Sequence, residues 1–217
     1  MIDLIIDYIK INRVSTTEVA DALGKKGALV DTYSLNRGHF KVGRCQYTYI
    51  YKESNWTLHE QIQQVEKNSI VLVDDLGSNG RAIFGDIVAK YVLLYSQAAA
   101  IVTNGKIRDA HSLIKEKYPI WSSGVNPVGC FNTKPIGEID QELLKERKDY
   151  FNNSIIVADD TGVVIIQKDN INEKLLNKLK NIEVQEDTWF DCIDRLKWNT
   201  FDTICLQKYT NNDKKNI

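Results

Sequence analysis

The sequence predicts one α/β domain over residues 1–167 with a helical C-terminal extension over 168–217, and three observations carry that expectation. Two short apolar runs, 69–73 (SIVLV) and 98–102 (AAAIV), flank a helix-length segment, which is the strand–helix–strand order of a parallel crossover. Runs 154–157 and 163–166 bracket Asp159-Asp160-Thr161-Gly162, a composition that makes a hairpin turn. From Asn170 onward the apolar spacing is helical.

The elements follow in order. Ile2, Ile5, Ile6 and Ile9 repeat at helical intervals, so the chain opens on an amphipathic helix. Ser15-Thr16-Thr17-Glu18 is a capping box, in which Ser15 and Glu18 satisfy free amides reciprocally, and Leu23-Gly24 supplies the stop. Strands are expected over 28–32 and over 45–51, the latter rich in Tyr and Ile, followed by a helix over 56–65. Between the two central strands the inner helical face reads as Ile83, Ile87, Tyr91 and Leu94. A further helix follows Asp109, with Ala110, Leu113 and Ile114 turned inward. The extension is expected to hold helices over 171–179 and 189–196, and its polar end, 209–217, to fray.

Composition narrows the function classes. At 43% hydrophobic and 26% charged residues the chain is an ordinary globular protein. Lys and Arg number 28 against 29 Asp and Glu, so the basic footprint of general nucleic-acid binding is missing. Cys45, Cys130, Cys192 and Cys205 lie far apart without a CxxC pair, which reads as reduced thiols rather than a disulfide frame or zinc site. His39, His59 and His111 form no metal pair, so a metal here would lean on carboxylates and be a hard ion such as Mg²⁺ or Mn²⁺. Asp3 and Asp7 interrupt the apolar start, and no apolar run approaches the ~20 residues of a membrane span. The expectation is a cytoplasmic chain without a membrane partner.

The residues most able to carry chemistry sit at 103–109 (TNGKIRD), directly after the AAAIV run, because ligands of open α/β sheets collect beyond the carboxyl ends of strands. Arg108 and Asp109 offer an anion clamp beside a hard-metal ligand. The plainer alternative is that Asp109 caps the following helix and Arg108 pairs on the surface. Gly77-Ser78-Asn79-Gly80 and Gly85-Asp86 would let backbone amides approach an anion, although turn formation is the default reading of small residues in a loop. Asp74-Asp75 and Asp159-Asp160 read as turn formers, His59 and His111 as packing or surface residues, and 138–148 as a solvated helix face.

The order of the segments is more specific than any one of them. S-T-x-x-V-x-D-A-L is followed by V-D-x-x-G, A-x-x-G-D, N-G-x-I-R-D, P-V-G and A-D-x-x-G-V-V. Over roughly residues 12–166 this resembles the RraA-like family, which holds the regulator of ribonuclease activity A and the metal-dependent 4-hydroxy-4-methyl-2-oxoglutarate aldolases. The resemblance implies a β/β/α sandwich of the swivelling phosphohistidine-domain type, assembled as a homotrimer. It also implies that Asp109 is the direct protein ligand of Mg²⁺ or Mn²⁺, and that Arg108 holds the carboxylate and keto oxygens of a pyruvate-like substrate. Gly85, Asp86, Ile87 and Val88 would supply backbone amides to that carboxylate, with Asp86 steadying a water of the ion's shell. Asp21, reaching from a neighbouring subunit, would contact the same shell. The implied activity is a divalent-metal-dependent lyase acting on a small 2-oxo acid by aldol cleavage or decarboxylation. The alternatives are a non-catalytic regulator that binds a ribonuclease or helicase, and an enzyme-derived scaffold with an unused anion site. An intact Arg108-Asp109 and the length of chain beyond residue 166 favour the lyase.

Overall fold

The computed structural model describes residues 1–212. Helix α1 (Ile2–Asn12) buries Ile5, Ile6 and Ile9. Helix α2 (Thr16–Ala22) begins at the capping box: Ser15 Oγ accepts from the Glu18 amide at 3.2 Å, and the Glu18 carboxylate accepts from the Ser15 amide at 2.6 Å. The strand expected over 28–32 does not form. Ala28 makes only an isolated bridge to Val164, and a left-handed backbone at Asp31 (φ 54) breaks the extended run before β1 (Tyr33–Ser34).

Strand β2 (Lys41–Tyr51) starts earlier than the Tyr/Ile pattern suggests, and α3 (Trp56–Gln61) follows, prolonged by a 3₁₀ turn over Ile62–Gln64. β3 (Ile70–Leu76) runs past its apolar core and carries Asp74 and Asp75 on the strand. The segment after it is not one helix. Ile83 lies in a short strand, β4 (Ala82–Phe84), helix α4 (Asp86–Lys90) starts only after Gly85, and a wide π-helical turn over Tyr91–Tyr95 ends it. The expected inner face is therefore the outer one. Val88, Ala89, Val92 and Leu93 are buried, whereas Ile87 (77%), Tyr91 and Leu94 are exposed. Both stripes are apolar, and a spacing counted from Ile83 does not carry across the break at Gly85.

β5 (Ala100–Thr103) leads through Asn104-Gly105 into β6 (Lys106–Ile107), and α5 (Ala110–Lys115) buries Leu113 while Ile114 faces out, against expectation. β7 (Ile120–Ser122) passes through Ser123 into β8 (Gly124–Val125). Helix α6 (Gln141–Phe151) is capped by Asp140, and β9 (Ile155–Ala158) and β10 (Val163–Ile166) form the expected hairpin. In the extension a continuous α7 (Glu173–Asp194) replaces the two helices expected, since 180–188 is polar but contains neither Gly nor Pro to break it. A π-helical turn over Phe201–Cys205 and the short α8 (Tyr209–Asn212) follow. The expected fraying falls partly on residues 213–217, which lie outside the described residues.

Seven strands form a mixed sheet in the order β1-β7-β5-β3-β2-β9-β10, and β4-β6-β8 form a smaller parallel sheet. The long β2 curls the larger sheet by changing partners: Lys41 to Arg44 pair antiparallel with β9, and Cys45 to Tyr51 pair parallel with β3. One face of the central strands packs Val71, Val73, Ile101 and Ile120 against Ile83, Phe84, Ile107 and helices α3 to α5. The opposite face packs Leu72, Val102, Trp121 and Phe151. Beyond the hairpin, α1, α2 and the first turns of α7 share a core of Ile5, Ile9, Val164, Leu175 and Leu179.

Asp75 makes the turn expected of it, accepting from the amides of Gly77 and Ser78 at 3.1 and 2.7 Å. That occupies the glycine-flanked loop internally. Asp74 departs from expectation because its side chain is fully buried on β3. It accepts from Arg147 Nε and Nη2, both at 2.7 Å, from Tyr47 Oη at 2.9 Å and from Asn104 Nδ2 at 3.0 Å. Burial and the neighbouring carboxylate push the Tyr47 phenol far above its usual range, and the bonds to Asp74 raise Arg147 further. The charged stretch 138–148 is thus a solvated face that buries Leu144 and anchors Arg147 on Asp74.

Candidate functional site

Each of three units runs a strand of the large sheet into a strand of the small one: β3 to β4, β5 to β6, β7 to β8. The carboxyl ends of β4, β6 and β8 lie side by side, so residues far apart in sequence converge there. Gly85-Asp86 leaves β4, Arg108-Asp109 leaves β6, and Gly129 lies in the loop after β8, bridged to Ala82. They line a cleft of about 100 Å³ together with Asn55, His59, Ile87, Val88, Cys130 and Asn132.

The geometry rejects the capping alternative for Asp109. Its backbone is left-handed (φ 57, ψ 32), whereas an N-cap residue that bonds its own helix is extended, and its side chain makes no bond to α5. That conformation costs roughly 1–3 kcal/mol, and aspartate tolerates it better than most residues. It turns the carboxylate back over the β4–α4 junction, where Oδ2 accepts from the Asp86 amide at 3.2 Å. Gly85 makes this possible, since a Cβ there would overlap Asp109 Oδ2 and lie 2.9 Å from Arg108 Cγ. Arg108 Nε stands 3.6 Å from Asp109 Oδ2, beyond hydrogen-bond range. Both side chains remain partly open, 46% and 38%, so the cation and the carboxylate are adjacent yet free to meet a ligand.

A second layer holds this arrangement. The Arg108 guanidinium lies on Gly129, where a Cβ would come within 2.7 Å of Nη1. Arg81 Nη1 donates to the Gly129 carbonyl at 3.2 Å, its Nε to Glu53 at 3.0 Å, and its guanidinium sits 4.6 Å from the centre of the Phe131 ring. Hydrogen bonds from Asn79 and Arg81 hold the Glu53 carboxyl below its ordinary range. Burial pushes the Cys130 thiol up to about 11, so it faces the cleft protonated at neutral pH.

Of the residues named from sequence, Gly85, Asp86, Ile87, Val88, Arg108 and Asp109 come together here. The amides of Ile87 and Val88 fall in the first turn of α4, where no intrahelical partner exists. Asp21 is elsewhere in the chain, paired with Lys25 at 2.7 Å and lining a separate cleft with Thr17, Lys26 and Asp31. His111 is exposed and outside the cleft, while His59, read as a packing or surface residue, lines it. Asn55, Gly129 and Arg81 were not singled out from sequence; each owes its place to a contact across strands, and only the P-V-G spacing pointed toward Gly129. Among the described residues no three His, Cys, Asp or Glu side chains cluster as a ready-made metal cage. The carboxylates able to serve a metal at the cleft are Asp109 and Asp86, residues of the type Mg²⁺ takes singly or in pairs while water and substrate oxygens fill its shell.

Comparison with known proteins agrees with the fold. A family model described as RraA-like, Aldolase/RraA, matches residues 16–165. Protein DlpA of Legionella pneumophila is 26% identical over 195 residues, covering 86% of this chain, whereas the chain spans only 31% of DlpA. A Halalkalibacterium halodurans protein named as a 4-hydroxy-4-methyl-2-oxoglutarate aldolase is 25% identical over 186 residues, covering 83% of this chain and 88% of its own length. The crystal structure of Streptomyces coelicolor RraAS2, described as an unusual member of the RNase ES inhibitor RraA protein family, superposes with a TM-score of 0.62. It is 21% identical and covers 81% of this chain and 91% of its own, a likeness of fold. No described helix is long and apolar enough to cross a membrane.

Proposed function

The chain belongs to the RraA-like family, and on that premise we propose that it is a divalent-metal-dependent lyase of small 2-oxo acids. The observation that carries this reading is the pairing of Arg108 and Asp109 over Gly85, both side chains open to one small cleft. Asp109 would hold Mg²⁺ or Mn²⁺, with Asp86 beside it. Bound there, the ion would supply Lewis acidity toward the 2-oxo group, drawing off the charge that develops when a carbon–carbon bond breaks.

The chain's own groups account for the rest. Arg108 meets the substrate carboxylate and keto oxygen with a planar fork of donors. The amides of Ile87 and Val88 face the same carboxylate. In aldol cleavage the C3–C4 bond breaks, its electron pair passes to C3, and the C4 hydroxyl gives up its proton as C4 becomes a carbonyl. C3 then takes a proton, and pyruvate leaves. In decarboxylation CO₂ departs in place of the carbonyl fragment and C3 is protonated in the same way. Cys130, protonated at neutral pH, is no nucleophile in this scheme.

Assembly as a homotrimer belongs to the same reading. Ile87 (77%), Tyr91, Leu94 and Tyr95 (71%) form an exposed apolar stripe that begins at the cleft, suited to cover by a neighbouring subunit. Asp21 of a neighbour would then have a route to the cleft. A second reading, a regulator that binds a ribonuclease or helicase, draws support from the fold likeness to RraAS2. It requires neither metal nor Arg108. A panel of 2-oxo acids, assayed for pyruvate release with and without Mg²⁺ or Mn²⁺, decides between them. Metal-dependent release is expected, and failure of every acid under both conditions would overturn the lyase.

A further inference from the structure

Tyr49 and Tyr51 lie two residues apart on β2 and so share one face of the strand. Trp56 opens α3 beside them, and together with Glu60 and the loop over 134–139 they wall a second pocket of about 200 Å³. Helix α3 serves both concavities: Asn55 and His59 line the Arg108–Asp109 cleft, whereas Trp56 and Glu60 line this pocket. Trp56 is 39% exposed, so part of its indole is open to a ligand. Its Nε1 donates to Glu60 Oε1 at 2.8 Å, which holds a carboxylate at the edge of the ring. Burial and then the charge of Glu60 raise the Tyr49 phenol, so the same carboxylate acts on a second ring of the pocket.

The other side-chain donors around the pocket are largely spent on the chain itself. Tyr51 Oη donates to the Glu138 carbonyl at 2.6 Å, Thr57 Oγ1 to the Tyr49 carbonyl at 3.2 Å and Gln141 Nε2 to the Ile139 carbonyl at 3.1 Å. A ligand therefore meets aromatic surface and the carboxylates of Glu60 and Glu138, against one ammonium, that of exposed Lys134. A polyol needs free donors as well as acceptors, and an anion would face both carboxylates. A fully methylated ammonium needs no hydrogen bond, because ring faces and a counter-charge suffice to hold it. Tyr51 already has Lys52 Nζ at 5.3 Å from its ring centre, and Lys52 does not line the pocket.

We propose that this pocket binds a quaternary ammonium group, seated among Trp56, Tyr49 and Tyr51 with Glu60 as its counter-charge. The site is separate from the reacting cleft and does not depend on the lyase reading. Choline and glycine betaine both carry such a group, and only the betaine adds a carboxylate for Lys134 to meet.

The test titrates the full chain with choline and with 3,3-dimethylbutan-1-ol, which has the same shape without the charge, at fixed ionic strength. Binding is followed on the Trp56 indole N–H resonance, assigned by its absence from Trp56→Leu. Choline should bind about 10-fold more tightly than the alcohol, within the range that cation–π contacts supply. Glu60→Gln keeps an acceptor for the indole but removes the charge, so it should weaken choline by about 3- to 10-fold and leave the alcohol unmoved. Glycine betaine identifies the carrier: an advantage over choline that disappears in Lys134→Met assigns a betaine, and weaker binding than choline assigns a ligand without the carboxylate. A Trp56 resonance unmoved by choline at about 50 mM overturns the site. So does equal binding of choline and the alcohol, or a Glu60→Gln protein that melts as wild type and binds choline as tightly.

Discussion

Replacing Gly85 by alanine should disable the site without unfolding the protein. The backbone at Gly85 is extended (φ −138, ψ −154), so an alanine there meets no conformational penalty and the whole effect is steric. The new methyl would overlap Asp109 Oδ2, lie 2.9 Å from Arg108 Cγ and stand 3.1 Å from Asp109 Cγ. Restoring ordinary van der Waals separation displaces the carboxylate by roughly 1 Å. A misplacement of that size can cost about 100-fold in rate, or about 2.7 kcal/mol of barrier. Stability should change by less than ~1 kcal/mol, because a side chain 38% exposed can swing into solvent. The melting temperature would then move by no more than about 4 °C. Gly129→Ala is the internal comparison. Its methyl would press within 2.7 Å on Arg108 Nη1, the far end of a flexible side chain, so the loss should stay nearer ~10-fold. Pyruvate release followed alongside thermal melting reads both effects. A Gly85→Ala protein with wild-type kcat/KM and metal requirement would refute the placement of Asp109 in the reacting centre.

Asp109→Asn should keep the fold, since Asp109 makes no capping bond to lose, yet weaken Mn²⁺ binding by at least ~10-fold in calorimetry and lower pyruvate release with it; unchanged metal affinity with full activity would defeat the assignment. Arg108→Lys loses the planar fork and should reduce kcat/KM by about 30- to 160-fold, a change of ~2–3 kcal/mol, so a kinetically silent variant would place the substrate elsewhere. Arg147→Met strands the Asp74 carboxylate, whose side chain is 1% exposed, and should cost about 3 kcal/mol, seen as a melting temperature lower by ~6–12 °C; an unshifted melt would deny that the pair holds α6. The Cys130 thiol, raised to about 11, should be alkylated slowly at pH 7.5 and progressively faster as the pH climbs toward 11, and peptide mass mapping that finds it labelled as fast as exposed Cys205 would contradict its burial.

The fold was legible wherever a local rule decided it. The capping box at Ser15 and Glu18, the α1 stripe and the hairpin around Asp159 each need only neighbours in sequence, and each forms as expected. The misreadings came where two local answers were equally apolar. Ile87, Tyr91 and Leu94 repeat as well as Val88, Val92 and Leu93, and only the start of α4 after Gly85 chooses between them. Asp74 was hidden for a different reason. An aspartate near glycines is usually a turn residue, and its burial follows from Arg147 on α6, more than seventy positions away.

The candidate site divides along the same line. Arg108 and Asp109 are visible because they follow a strand together, but their geometry depends on what the sequence does not place beside them. Gly85 leaves room for the carboxylate, Gly129 receives the guanidinium, and Arg81 fixes the Gly129 carbonyl. Two of these three carry no side chain at all, so they matter for space rather than for groups, and a search for chemistry-bearing residues passes over them. Asn55 was missed for the opposite reason: it stands just ahead of the expected helix over 56–65, and only the folded chain shows Ile83 taking its amide nitrogen and leaving its oxygen unpaired. These contacts tie the segments around β4, β6 and β8 to one another and to α3. A change in one loop therefore alters the site by moving a neighbour's atoms, and the tests above distinguish a displaced carboxylate from a missing one.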